Sequence, residues 1–227
     1  MCGKEISVIL PCLNEELGIG ICINKIQEVF VNNNINGEII VVDNGCTDNT
    51  IKIAKGFNVK IVYEPRKGYG NAYRAGFKIA LGRMIIMGDA DNTYDFYDIP
   101  RFLYNLNNCN VVLGSRFKGK MNKGSMPWLH KNLGNPMMVR LMRLFHGLNL
   151  SEPSTGFVAI RKSDLNKMDL YGEGMEFAPE FLIESHRQGF KIKEIPINYG
   201  NRLGNPKLRT FRDGFRYLSL ITSKRAH

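Results

Sequence analysis

The sequence predicts an α/β protein with a doubly wound, mostly parallel sheet and a C-terminal α+β portion in the same domain. Three apolar runs carry that prediction. Residues 6–10 lead into Pro11-Cys12-Leu13-Asn14-Glu15-Glu16, residues 38–42 into Asp43-Asn44-Gly45-Cys46-Thr47-Asp48, and residues 85–87 into Gly88-Asp89-Ala90-Asp91. A short apolar run bounded by polar residues reads as a buried strand. Helix-like segments separate the runs, and such alternation builds parallel sheets with right-handed crossovers. Ligands of open parallel sheets bind beyond the carboxyl ends of the strands. The three polar clusters are therefore predicted to meet around one ligand.

In chain order, residues 15–32 have helical character, with Leu17, Ile21, Ile26, Val29 and Phe30 available for a buried face. A short helix over 47–55 and a strand over 59–63 follow. Arg66-Lys67-Gly68-Tyr69-Gly70-Asn71 opens a helix to about residue 81. Asp98 and Pro100 suit the cap and first turn of a helix ending near 107, and 110–113 is a fifth strand. Beyond residue 115 the order changes. A basic, Met-rich segment spans 137–148, strands are predicted at 155–161 and 191–199, and a helix at 177–188. Thr210 and Asp213 resemble a capping pair for a last helix. The expected organisation is one domain over 1–227, in a first portion 1–115, a second 116–200 and a basic C-terminal helix (201–227).

With 44% hydrophobic residues in 227 and a mean hydropathy of -0.21, the composition is that of an ordinary globular protein. Five cysteines without a C-x-x-C pair read as reduced, mostly buried thiols. No signal peptide and no run of membrane-spanning length is present, so a cytoplasmic location is expected. The net charge of +10 is unevenly placed. Residues 114–147 hold seven Lys/Arg and no acid, and residues 201–227 hold seven against one, Asp213. Basic blocks imply an anionic partner: nucleic acid, a membrane surface or a phosphorylated substrate.

Asp89 and Asp91 stand at i and i+2, so on an extended segment both carboxylates face one point. Hard oxygen ligands there suit Mg²⁺ or Mn²⁺, with the remaining ligands drawn from water and substrate phosphates. Two solvated acids at a strand end is the plainer alternative. Gly18-Ile19-Gly20 is followed by Ile23 and preceded by two glutamates, which excludes a dinucleotide fingerprint, and no Walker A ending occurs. Gly68 and Gly70 read equally as a helix-start turn or as a close approach to a donor, with Arg66 or Lys67 facing phosphate. Histidines 130, 146, 186 and 227 share no metal-ligand spacing, and no Gly-x-Ser-x-Gly elbow appears.

The runs Val8-Ile9-Leu10-Pro11-Cys12-Leu13-Asn14-Glu15-Glu16 and Val41-Val42-Asp43-Asn44-Gly45-Cys46-Thr47-Asp48, with Asp89-Ala90-Asp91, resemble the inverting family 2 glycosyltransferases. Gly114-Ser115-Arg116, Met126-Pro127-Trp128, Thr155-Gly156-Phe157, Gly174-Met175-Glu176-Phe177, Glu194-Ile195-Pro196-Ile197 and Leu208-Arg209-Thr210-Phe211-Arg212-Asp213-Gly214 narrow the resemblance to the dolichyl- or polyprenyl-phosphate mannose and glucose synthase-like branch. The resemblance implies a GT-A-like fold, with 1–115 as the nucleotide-binding half and 116–200 as the acceptor half. It implies that Pro11, Leu13, Glu15 and Asp43 line the donor's base and ribose pocket, and that Asp89, Ala90 and Asp91 hold its metal-bound diphosphate. It also implies that Arg116, Arg202 and Lys207 face phosphates. The sequence departs from the pattern at Cys46 (usually Ser), at Asn92-Thr93 (Gln in some relatives), at Glu152 (Asp is commoner), and in lacking a Ser before Lys207.

The expected reaction is inverting transfer of a hexose from a UDP- or GDP-linked sugar to a polyprenyl phosphate, with Asp91, Arg116 and Glu152 as the catalytic candidates. An ionised phosphate acceptor requires no strong base. A hydroxyl acceptor would require one, and Glu152 is the candidate. The segment 137–148 can lie in a membrane interface, with Arg140 and Arg143 on one face; its alternative is a core-packing helix. Peripheral association with the inner face of a membrane is expected, through this segment or a separate anchoring partner. Three acidic clusters argue against nucleic acid as the partner. A non-catalytic nucleotide-sugar-binding relative is the remaining rival.

Overall fold

The computed structural model describes residues 3–205 and 210–223. Seven strands form one sheet in the order β3-β2-β1-β4-β6-β5-β7. Strands β1 (Ile6–Cys12), β2 (Gly37–Asp43), β3 (Lys60–Tyr63) and β4 (Met84–Met87) run parallel. Strand β6 (Val158–Arg161) lies antiparallel between β4 and β5 (Val111–Met121), and β7 (Ile192–Tyr199) forms the edge, parallel to β5. The helices are α1 (Ile19–Asn32), α2 (Thr50–Ala54), α3 (Tyr69–Ile79), α4 (Ile99–Leu106), α5 (Asn135–His146), α6 (Lys162–Leu165), α7 (Phe177–Arg187) and α8 (Thr210–Thr222). The mostly parallel, doubly wound expectation is met, and one sheet spans both the 1–115 and the 116–200 portions.

The uninterrupted apolar runs follow from burial on both faces. Ile6, Val8 and Leu10 of β1 pack with Ile19, Ile23 and Ile26 of α1, while Ile9 packs with Ala72 and Tyr73 of α3 on the opposite face. Each such aliphatic side chain contributes about 1.5–3 kcal/mol when fully buried. Helices α5, α7 and α8 join the second face through Met138, Met142, Phe177, Phe181 and Ile221.

Several boundaries differ from the sequence reading. Helix α1 starts at Ile19 rather than near Glu15, because Asn14 takes a left-handed conformation (φ 57°) and the Glu15 N–H donates to Thr50 Oγ1 at 2.8 Å. Gly18 then passes so close to the end of β4 that a Cβ would lie 2.4 Å from the Ala90 carbonyl oxygen. Residues 155–157 form a turn instead of strand, held by the Gly156 N–H donating to Tyr94 Oη at 2.8 Å. Asp98 sits at the start of α4 but makes no side-chain cap; its carboxylate pairs with Arg101 at 2.5 Å.

Strand β5 runs well past Leu113. Its pairing with β7 jumps from Ser115↔Pro196 to Lys120↔Asn198, so extra residues of β5 bulge out of the ladder. Bulges re-aim side chains, and this one carries Arg116.

Candidate active site

Strand β1 lies between β2 and β4, and the helices that follow β1 and β3 pack on opposite faces of the sheet. The strand order reverses here, and the crevice beyond the strand ends is where such sheets bind ligands. All three polar clusters reach it. Some of their acids serve the loops themselves. Glu16 accepts from the Asn49 N–H at 3.0 Å, and Asp48 accepts from the N–H groups of Glu16 (3.1 Å) and Thr50 (2.9 Å). Asn14 Oδ1 accepts from the Thr47 N–H at 2.7 Å. These bonds lace the β1 loop to the β2 loop. Asp43 closes its own turn by accepting from the Gly45 and Cys46 N–H groups at 3.0 and 2.8 Å. Pro11 and Leu13 are half-buried beside it, and Pro11 and Cys12 stand opposite Val42 and Asp43.

Asp91 is 2% exposed and fully engaged. Its Oδ1 accepts from the Thr93 N–H (3.0 Å) and hydroxyl (2.6 Å), and its Oδ2 from Arg202 at 2.5 Å. The same guanidinium reaches Glu15 Oε1. Arg202 thus joins the β1 cluster to the β4 cluster, and the Leu203 N–H donates to the Asp91 carbonyl at 3.0 Å. Thr93 acts as a donor that orients Asp91.

Asp89 is half-buried, and Tyr69 Oη donates to its Oδ1 at 2.9 Å. Burial first, then the Asp91 charge, pushes the Asp89 carboxyl up to about 7, against the pull of Tyr69, Arg202 and Arg116. Asp89 is therefore the under-compensated member of the acid pair. Two hard carboxylates so placed fit Mg²⁺ or Mn²⁺, with water and phosphate completing the shell. No group of three His, Cys, Asp or Glu forms a metal site among the described residues, so a protein third ligand of those types is not supplied there. Gly156 leaves room for the Asp89 carboxylate, since a Cβ there would lie 2.7 and 2.8 Å from its oxygens.

Arg116 and Glu152 form the other charged centre. Arg116 Nε donates to Oε2 at 2.9 Å and Nη2 to Oε1 at 2.6 Å, a fork with both prongs made. The Arg116 N–H adds a third bond to Oε2, at 3.2 Å. Glu152 is 0% exposed. Both oxygens are committed to a guanidinium and no surface of the residue meets solvent, so the conditional reading of Glu152 as a base for a hydroxyl acceptor gains no support from its placement. Glu152 instead holds Arg116, whose guanidinium also sits 5.2 Å from the Tyr199 ring centroid.

Of the two readings of Gly68 and Gly70, the geometry favours the helix-start turn. A Cβ on them would meet the Glu173 and Gly172 carbonyl oxygens at 2.2 and 2.0 Å, so the backbone approached there belongs to the 172–174 loop. The first N–H groups of α3 donate into that loop, Gly70 to Gly174 and Asn71 to Glu173. Arg66 is forked onto Glu64 at 2.8 and 3.0 Å. Lys67 is exposed and passes beside Gly45. Lys207 lies outside the described residues. Cys12, Cys22 and Cys109 are buried free thiols, and Cys46 is free and half-buried, as expected. Tyr69 and Tyr94 were missed by the sequence reading. The signal was present in Gly68-Tyr69-Gly70, where only the glycines were weighed.

A doubly wound sheet with an Asp-x-Asp turn at its switch point is the architecture of a GT-A glycosyltransferase. The model of the family "Glycosyl transferase family 2" matches residues 7–169, and the chain belongs to that family. It is 39% identical over 222 residues to the low-salt glycan biosynthesis hexosyltransferase of Haloferax volcanii, covering 96% of this chain and 53% of that protein. The chain thus spans about half the length of that relative. It is 30% identical to a dolichyl-phosphate hexose transferase of the same organism, covering 92% of this chain and 89% of that one. These relatives bear out the resemblance to the polyprenyl-phosphate branch. A solved structure of glucosyl-3-phosphoglycerate synthase from Mycobacterium tuberculosis, with Mn²⁺, UDP and glucosyl-3-phosphoglycerate bound, superposes with a TM-score of 0.75 at 22% identity, covering 96% of this chain and 80% of that one. At that identity the likeness speaks to the fold.

Proposed function

We propose that the protein transfers a hexose, with inversion, from a nucleotide diphosphate sugar to a polyprenyl phosphate. One observation carries the choice of acceptor. Glu152, the candidate base, is wholly buried and bound by Arg116, so the acceptor side offers the remaining Nη1 end of a held guanidinium rather than a base. An ionised phosphate matches a cation and needs no base, whereas a hydroxyl needs its proton removed. The dolichyl-phosphate hexose transferase relative supports the same reading.

In this reading Asp43, with Pro11 and Leu13, receives the nucleoside. Asp89 and Asp91 would hold Mg²⁺ or Mn²⁺, which supplies charge neutralisation on the departing diphosphate. Tyr69 and Thr93 fix the two carboxylates, and burial, then the Asp89 charge, pushes the Tyr69 hydroxyl well above its ordinary value, so it stays a donor. Glu15 anchors Arg202 over the crevice, where its guanidinium can turn to the diphosphate. Arg116 orients the acceptor phosphate for direct attack on the anomeric carbon. Such preorganised charge is typically the largest catalytic contribution.

The same reading places the protein on a membrane surface. Met138 and Met142 fix α5 to the core, while Met137, Leu144 and Phe145 are exposed beside Arg140 and Arg143. Trp128 and Leu133 extend the apolar surface. No described helix is long and apolar enough to cross a membrane. The proposal is tested by screening UDP- and GDP-hexoses for Mn²⁺-dependent turnover, then adding a short-chain polyprenyl phosphate. A lipid-linked hexose of inverted configuration is expected. A donor set that is never consumed, with or without acceptor, overturns the reading.

A further inference from the structure

Glu194 lies on the edge strand β7, with its side chain 5% exposed. It touches neither the Asp-x-Asp turn nor the nucleoside loops. Its Oε1 accepts three bonds, from the Ser151 N–H (2.9 Å), the Ser151 hydroxyl (2.8 Å) and the Glu152 N–H (3.0 Å). Its Oε2 meets Lys118 Nζ at 2.7 Å. The turn it gathers begins the segment that carries Glu152, and Glu152 in turn forks Arg116. A second thread runs back to β5: Ser151 Oγ lies 2.9 Å from Ser115 Oγ, the residue before Arg116.

We infer that Glu194 is the positioning residue for Arg116, acting through the 151–152 turn. This rests on the reading of Arg116 as the acceptor-phosphate cation. The physical argument is one of satisfaction and direction. The turn's two N–H groups have no helix or strand partner, and one carboxylate oxygen takes both. With the turn fixed, Glu152 fixes the Nε/Nη2 edge of the guanidinium, and the Ser154 carbonyl accepts from Nη2 at 3.1 Å. Nη1 engages no protein acceptor among the described residues. A guanidinium so held offers only its Nη1 end, in one direction, for charge-assisted hydrogen bonds to a phosphate oxygen. Loosening the turn leaves the charge in place but blurs its direction. Small misplacements of this kind are costly in catalysis.

The test needs a readout that does not depend on the reaction. Exchange of the Arg116 Nε–H with solvent, followed by NMR and assigned by its loss in Arg116→Lys, reports the Glu152 fork directly. In Glu194→Ala that exchange is expected to quicken roughly tenfold or more. The KM for a short-chain polyprenyl phosphate should rise by about the same factor, with donor affinity within about twofold of wild type. Glu194→Gln keeps an oxygen for the turn and should recover most of both, and Lys118→Met, at the half-exposed end, should change little. Unchanged exchange and unchanged acceptor KM in folded Glu194→Ala overturn the inference. If that variant does not fold, Glu194→Gln carries the test, with about threefold changes in both readouts expected and none overturning it. If exchange quickens while wild type moves no sugar to polyprenyl phosphate, Glu194 still positions Arg116 and the acceptor reading is what falls.

Discussion

At the scale of single residues, the site is governed by which carboxylates are compensated and which are not. Asp91 has Arg202 and Thr93, and Glu152 has Arg116. Asp89 is left with a phenol hydroxyl and a carboxyl raised to about 7. The consequence for pH has a definite sign. Between the unfolded value near 4 and the folded value near 7, the metal-free native state binds more protons than the unfolded one, so this group's contribution falls as pH rises through that window. Metal-free protein is therefore expected to lose thermal stability from pH 5 to pH 7 on this account, and added Mn²⁺ should restore it most strongly at pH 7 and above. Below 7, Mn²⁺ affinity should drop about tenfold per unit, because the ion must displace the Asp89 proton. Calorimetric titrations at pH 5.5, 6.5 and 7.5 check this, and a pH-independent affinity would remove Asp89 from the ligand set.

Glu152 belongs to the same scale. Glu152→Gln breaks one side of a buried ion pair, which typically costs about 3 kcal/mol or more because the remaining charge is left uncompensated. Urea unfolding should show that loss. Turnover on polyprenyl phosphate should fall by roughly tenfold or less, short of the ~10²–10⁴ that a general base contributes. A collapse of turnover beyond that range, with stability and donor affinity kept, would restore Glu152 as a proton acceptor.

At the scale of elements, legibility tracked how local the cause was. The strands ending at Cys12, Asp43 and Met87 were readable because two-sided burial writes itself as an unbroken apolar run. The extension of β5 to Met121 was not, since Arg116 to Gly119 leave the ladder under constraint from β7, some eighty residues away in sequence. The left-handed Asn14 and the late start of α1 likewise come from contacts with the β2 loop. Glu152 was legible as a charged residue near the site, but its pairing with Arg116 was not, because that partner is set by the β5 bulge. Helix α5 was readable as amphipathic, and the structure separates its two uses: Met138 and Met142 face the core, Leu144 and Phe145 face outward. Replacing both outward residues with Ser should weaken sedimentation with anionic vesicles at least severalfold and leave donor affinity unchanged. Binding by wild type should also decline with added salt, because its attraction is between exposed charges screened within about 10 Å at 0.1 M. Equal sedimentation of variant and wild type would assign that surface to another partner.

At the scale of the whole molecule, the topology brings one class of chemistry to each side of β4. On one side the parallel strands β1 and β2 deliver Glu15 and Asp43, with a place for a cation at Asp89 and Asp91. On the other, the antiparallel β6 and the bulged β5 deliver Gly156 against Asp89 and the fixed Arg116. The acidic side suits a metal-bound diphosphate that leaves, and the basic side suits an anion that arrives. The net charge of +10, concentrated after residue 114, extends that second preference over the surface. The central claim is that the arriving group is an already ionised phosphate. It is tested most directly by offering the protein, with Mn²⁺ and its donor, a polyprenyl phosphate and the polyprenol of the same chain length in parallel. The account predicts sugar transfer to the phosphate and none detectable to the alcohol. Transfer to the polyprenol at a comparable rate would contradict it.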